Sequence, residues 1–237
     1  MAENGSNRVT LDFRPGKPYN AGMNCIVTAG PTYEPLDDVR RLTNFSTGRL
    51  GTELANFLTA RGHEVTLLAG VLATWSGPRE AKTVVPFSTT ADLQARLKKL
   101  SRTKVDVIFH AAAVSDFTFG RIFTRTAEGK LQTIRAAKKT STRHGTLFAE
   151  LVPTPKILAE LRGWYPRAQI VGWKYEADGR RPHAIQAARR QLLDCTTDAC
   201  VANGPAYGPG FGLVTATTEE HFTDTKKLFQ ALAAEIS

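Results

Sequence analysis

From Thr28 to Gly51 the chain reads TAGPTYEPLDDVRRLTNFSTGRLG, a long polar loop between a β-prone run and an amphipathic stripe, and that order leaves few folds open. Before the loop, Cys25 to Thr28 (CIVT) has the composition of a buried strand. After it, Leu50, Leu54, Phe57 and Leu58 recur at helical spacing up to Gly62. Strand, loop and helix in this order build anion sites, because the free N–H groups and positive dipole end of the helix face whatever the loop holds. Ser46 or Thr47 is placed to cap the helix, and Gly48 and Gly51 would let backbone approach a ligand closely. A loop of this length is functional or unstructured, and Glu34, Asp37, Asp38, Arg40 and Asn44 fill it with polar groups.

The pattern continues along the chain. Glu64 to Leu68, Thr83 to Phe87 and Val105 to His110 read as strands, with a helix at Leu93 to Leu100. Further strands are expected at Thr146 to Val152, Gln169 to Trp173 and Ala199 to Ala202, and helices from Thr154, Pro182 and Asp224. Strands alternating with helices imply an α/β fold, Rossmann-like, with a mostly parallel sheet and helices on both faces. Thr118 to Arg143 is polar, basic and poorly periodic and reads as a long flap. Residues 1–21 read as a flexible arm, and 22–237 as a single domain. Ligands in such sheets sit beyond the carboxyl ends of the strands. The segments Gly30 to Asn44, Ala111 to Asp116 and Asn203 onward, each directly after a strand, are therefore expected at one edge.

Composition removes several classes. No run approaches the roughly 18 apolar residues of a membrane span, and the N-terminus lacks a signal pattern, so a cytoplasmic protein without membrane association is expected. Cys25, Cys195 and Cys200 have no CxxC spacing, so neither a disulfide framework nor a metal site is indicated. A net charge of +9 invites a nucleic-acid reading, but the charges are scattered and the dense stretch from Lys130 to His144 has no aromatic interleaving; small polyanions explain it as well. A dinucleotide reductase fits poorly, because the first strand leads into Gly30-Pro31-Thr32 instead of GxGxxG. No tyrosine has a lysine four residues later.

Seven segments in order carry a more specific signal: the loop above, HAAAVSDF (His110 to Phe117), KKTST (Lys138 to Thr142), LVPTPKIL (Leu151 to Leu158), VGWKYEAD (Val171 to Asp178), AARRQL (Ala187 to Leu192) and VANG (Val201 to Gly204). Together they resemble the phosphopantothenoylcysteine synthetases, ligases of coenzyme A biosynthesis. The resemblance implies activation of the 4′-phosphopantothenate carboxylate as an acyl-nucleotide, at the cost of CTP or ATP with Mg²⁺, and its coupling to cysteine. It also implies a homodimer. Relatives are often fused behind a flavin-binding decarboxylase; with no room for one here, a stand-alone form is expected and FMN is not implied.

By the same resemblance Asn44 stabilises the acyl-nucleotide and Arg40, Ala112, Ala113 and Asp116 bind the pantothenate side. An Asn amide offers donors and an acceptor suited to a carboxylate becoming an acyl phosphate. Lys139, with Lys138 beside it as the alternative, contacts the phosphates and steadies leaving pyrophosphate. Gly30, Thr32, Ser46 and Gly48, with Pro155, Lys156, Ile157, Leu158, Trp173 and Arg190, line the nucleotide site. His110 reads as a satisfied strand histidine. The chain departs from bacterial relatives at Trp173, Lys156, Asp194 and Gly204, while Lys174 and Glu176 match the FKxE pattern of eukaryotic forms. Those departures leave CTP or ATP open, and a nonenzymatic binding module of the same fold is the competing reading.

Overall fold

A computed structural model describes residues 22–134, 141, 143 and 145–234. Residues 1–21, where the arm was expected, lie outside the described residues. The main sheet has eight strands in the order β13-β12-β11-β10-β6-β1-β4-β5. Its parallel part comprises β1 (Asn24–Ala29), β4 (Glu64–Gly70), β5 (Thr83–Phe87), β6 (Val107–His110), β10 (Gln169–Tyr175) and β11 (Ala199–Asn203). Two antiparallel edge strands, β12 (Phe211–Thr215) and β13 (Glu219–Phe222), complete it. The α/β class and mostly parallel sheet are as expected; the two edge strands are additions.

Side-chain alternation along the buried strands divides the core. Val27, Ala29, Val171 and Val201 pack with Leu54 and Leu58 of α1 (Arg49–Thr59) and Leu228 and Leu232 of α5 (Thr225–Ala234). On the other face, Ile26, Ile108 and Ile170 meet Leu93 and Leu97 of α2 (Thr90–Leu100) and Leu161 of α3 (Ile157–Trp164). Cys200 and Ala202 pack with Ala188 and Leu192 of α4 (Arg181–Cys195). All three cysteines are buried free thiols, and burial pushes Cys25 and Cys200 up to about 12, as inert core thiols require.

Two small sheets lie outside this core. Inside the long loop, β2 (Tyr33–Pro35) and β3 (Arg41–Thr43) form a hairpin. In the described part of the expected flap the chain forms β7 (Phe117–Arg125) and β8 (Leu131–Ile134), which join β9 (Leu147–Pro153), the strand expected at Thr146 to Val152, in an antiparallel sheet; residues 135–140 and 142 of the flap lie outside the described residues. After β1 the chain adds β4 and β5 on one side, then returns to place β6 on the other side of β1. The carboxyl ends of β1 and β6 therefore flank a topological switch point, where sheets of this kind open a crevice.

Candidate functional site

The loops leaving β1 and β6 are bonded to each other at that crevice. Thr32 N–H donates to Ala113 O at 3.1 Å, Ala113 N–H donates to Gly30 O at 3.0 Å, and Pro31 pairs with Ala113 as a parallel bridge. Asn44, just past the hairpin, donates from Nδ2 to Ala113 O and Val114 O, both at 3.2 Å. Thr28 Oγ1 accepts from Ala112 N–H at 3.1 Å and lies 3.0 Å from His110 Nδ1. Gly30, Thr32, Asn44, Ala112 and Ala113 are thus brought into one constellation. Asp116 is exposed beside it, and its carbonyl accepts from Thr154 N–H at 3.0 Å.

A polar layer that sequence reading missed holds these loops. Thr32 is fully buried; its Oγ1 accepts from Ser115 N–H at 2.9 Å and lies 3.2 Å from Thr90 Oγ1, while Thr43 Oγ1 donates to its carbonyl at 2.8 Å. Its hydroxyl is engaged by the scaffold. Buried Glu34 accepts from Thr90 N–H, the first amide of α2, at 3.0 Å, where the helix dipole favours a carboxylate. Thr154 donates to Ser115 O at 2.5 Å, joining the end of β9 to the same floor. Thr154 sits three residues before α3, which begins at Ile157, so the hydroxyl expected to open a helix serves a loop instead.

The cap of α1 differs from the expectation of Ser46 or Thr47. Gly48 caps α1 with φ +79, and no side-chain hydroxyl caps it; Thr47 Oγ1 instead accepts from Arg49 N–H at 3.3 Å. A Cβ at Gly48 would lie 2.9 Å from Ala73 Cβ and 3.2 Å from Gly30, and one at Gly51 2.8 Å from Ala29 Cβ. These glycines let the helix seat on the strand end and its neighbouring loop. Ser46 is half-buried in the loop leading to the cap.

On the other side of β6, Ile157 and Leu158 are buried in the core; α3 begins there without a side-chain cap, and Pro155 and Lys156 are exposed. Trp173 packs against the α1–α5 core, and its indole N–H is buried with no partner among the described residues. Two residues are not gathered in. Arg40 lies at the hairpin tip, where Asp37 accepts from its guanidinium at 2.5 and 3.1 Å. Arg190 is exposed on α4, whereas its neighbour Gln191 is buried. Lys138 and Lys139 lie outside the described residues. Among the described residues no group of three or more His, Cys, Asp or Glu is placed to hold a metal ion, and no helix is long and apolar enough to cross a membrane.

Comparison with known proteins adds ancestry to this geometry. Residues 20–233 match the model of a family described as the DNA/pantothenate metabolism flavoprotein C-terminal domain. The coenzyme A biosynthesis bifunctional protein of Thermococcus kodakarensis is 34% identical over 77% of this chain and 41% of its own length. That of Bacillus subtilis is 30% identical over 87% of this chain and 46% of its own. The chain spans a little under half the length of these relatives. The crystal structure of the DNA/pantothenate metabolism flavoprotein from Streptococcus pneumoniae superposes with a TM-score of 0.78 at 26% identity, over 91% of this chain and 98% of that one.

Proposed function

The chain belongs to the DNA/pantothenate metabolism flavoprotein C-terminal domain family, and we propose that it is a phosphopantothenate–cysteine ligase. The observation that carries this reading is the Asn44 amide bonded to the Ala113–Val114 segment at the β1–β6 switch point. The 4′-phosphopantothenate carboxylate attacks the α-phosphate of CTP or ATP, forming an acyl-nucleotide and releasing pyrophosphate. The amine of cysteine then attacks the acyl carbon, forms the amide and expels the nucleoside monophosphate. No protein nucleophile takes part.

In this reading Asn44 positions the carboxylate beside the small side chains of Ala112 and Ala113, which leave it room, Asp116 accepts hydroxyl or amide groups of the pantothenate arm, and Lys139 meets the phosphates. The catalysis is positioning and charge stabilisation. Mg²⁺ enters on the triphosphate, whose oxygens suit it and for which no protein carboxylate cage is required. We place the enzyme in the cytoplasm as a homodimer. Exposed Val39, Leu42 and Phe45 around the hairpin and Phe117 on the adjoining β7 support the dimer, since clustered apolar surface marks contact sites. The test is pyrophosphate release that requires both a nucleoside triphosphate and 4′-phosphopantothenate, followed by cysteine-dependent release of the monophosphate. Nucleotide binding without either product would sink the enzyme reading and leave a binding module.

A further inference from the structure

Arg181, Ile185 and Arg189 recur four residues apart along α4, a spacing that sets them along one flank of the helix. That flank faces the antiparallel edge of the sheet. Between it and Glu219 of β13 lies a cleft of about 350 Å³, a size that suits a small ligand. Pro182 and Ile185 form its apolar wall. Arg190, which the resemblance assigns to the nucleotide, does not line it, and β10 and β11 stand between this edge and the crevice at β1 and β6.

The two arginines are held differently. Arg181 donates from Nε to Tyr207 O at 2.9 Å, its Nη2 approaches Pro209 O at 3.5 Å, and its guanidinium carbon lies 4.5 Å from the centroid of the Tyr207 ring. Tyr207 is buried and its hydroxyl lies 2.9 Å from His221 Nδ1, so the platform under Arg181 is fixed. These partners carry no negative charge, and among the described residues no carboxylate pairs with Arg181. Its fork keeps donors for an anion. Arg189 instead donates from Nη2 to Glu219 at 3.2 Å, with both side chains 45% exposed. A pair so exposed is weak enough to exchange.

The cleft therefore sets two guanidinium groups against one carboxylate. A ligand carboxylate would bring a single charge, whereas a phosphate monoester brings nearly two at neutral pH and three acceptor oxygens, which planar guanidinium forks match. We propose that this cleft binds a phosphate monoester of a small molecule, with the phosphate held by Arg181 and Arg189 and the carbon part laid on Pro182 and Ile185. Such a site is separate from the ligase crevice and independent of the ligase reading.

Calorimetric titration of phenyl phosphate, with benzoate as the monoanion control, into the parent and three variants tests it. Arg189→Gln removes a half-exposed side chain on the helix surface, and phenyl phosphate binding should weaken about tenfold. Glu219→Gln removes the competing carboxylate and should tighten binding about two- to fivefold, which a purely structural ion pair would not do. Asn44→Asp puts an anion in the crevice instead and should leave the affinity at the parental value. Benzoate should bind the parent more weakly than phenyl phosphate. Parental affinity in Arg189→Gln, no tightening in Glu219→Gln, or weakened binding in Asn44→Asp overturns the site. A parent that binds no phenyl phosphate, or binds benzoate equally well, overturns it too.

Discussion

Asn44 shows how one side chain can serve both scaffold and chemistry. Its Nδ2 donates to two carbonyls of the β6 exit loop, so replacing it by aspartate turns donors into an anion facing carbonyl oxygens. Asn44→Asp is expected to lower the overall ligation rate by about 10²–10³, the usual cost of one preorganised donor. Nucleotide binding should persist; steady-state rates beside a nucleotide titration check this, and a parental rate in a folded variant would remove Asn44 from the site. Gly204 is the opposite case. It stands where the resemblance expects an acid, yet its φ is +110 and a Cβ would lie 2.5 Å from Glu176 O. The departure is required by the backbone of this chain and follows from how the loop after β11 packs under Glu176. Gly204→Ala should cost about 1–3 kcal/mol, read as a lower denaturation midpoint; an unchanged midpoint would show that the loop accommodates the methyl group.

Among the elements, the buried parallel strands and amphipathic helices were legible because each carries its own signal. CIVT and VIFH are short apolar runs, and the stripe from Leu50 to Leu58 forms α1 as expected. The elements that escaped depend on distant partners. β7 reads Phe-Thr-Phe before Gly120, but a bulge between Phe119 and Ile122 shifts the register, so period-two alternation breaks in mid-strand. Over that bulge Glu150 accepts from Arg121 N–H at 3.0 Å. β13 is Glu-Glu-His-Phe, polar because it is an edge, and β2 and β3 are three residues each, β2 held by bonds to Ser88 and Thr90 and β3 by its pairing with β2. The site was legible where its chemistry sits in contiguous motifs and hidden where it rests on Ser115, Thr154 and the scaffold bonds of the Thr32 hydroxyl, whose roles exist only after folding. The built flap refines one expectation. Hydrogen exchange should find β7 and β9 protected in the free protein, while the turn Thr126–Lys130 gains protection when nucleotide is added. Identical exchange of that turn with and without nucleotide would argue that the flap does not close over the ligand.

At the scale of the whole molecule, stability and site share one junction, because the crevice opens where β1 and β6 separate and His110 is buried there against Thr28. Burial lowers the His110 pKa to about 4, so the folded protein keeps the ring neutral at any pH above that. The unfolded chain takes up a proton near the ordinary histidine value of about 6.5. Between those values the unfolded state binds more protons, and stability therefore rises with pH across the window. Stated downward, the folded state is fully stable with respect to this group above about pH 6.5, and loses on the order of 3 kcal/mol by pH 4. His63, also lowered by burial, adds in the same direction. Asp92 and Asp106 are held below the usual carboxylate range by hydrogen bonds from Ser88 and Asn24, so their contributions fade only at more acid pH and do not overlap most of this window. Denaturant titrations at intervals from pH 7 to pH 4.5 should give a falling unfolding free energy for the parent and a much shallower fall for His110→Gln. The slope is the informative quantity, since the substitution also changes the starting stability through its contact with Thr28. A variant whose stability falls as steeply as the parent's would mean that His110 is not what couples this junction to protons.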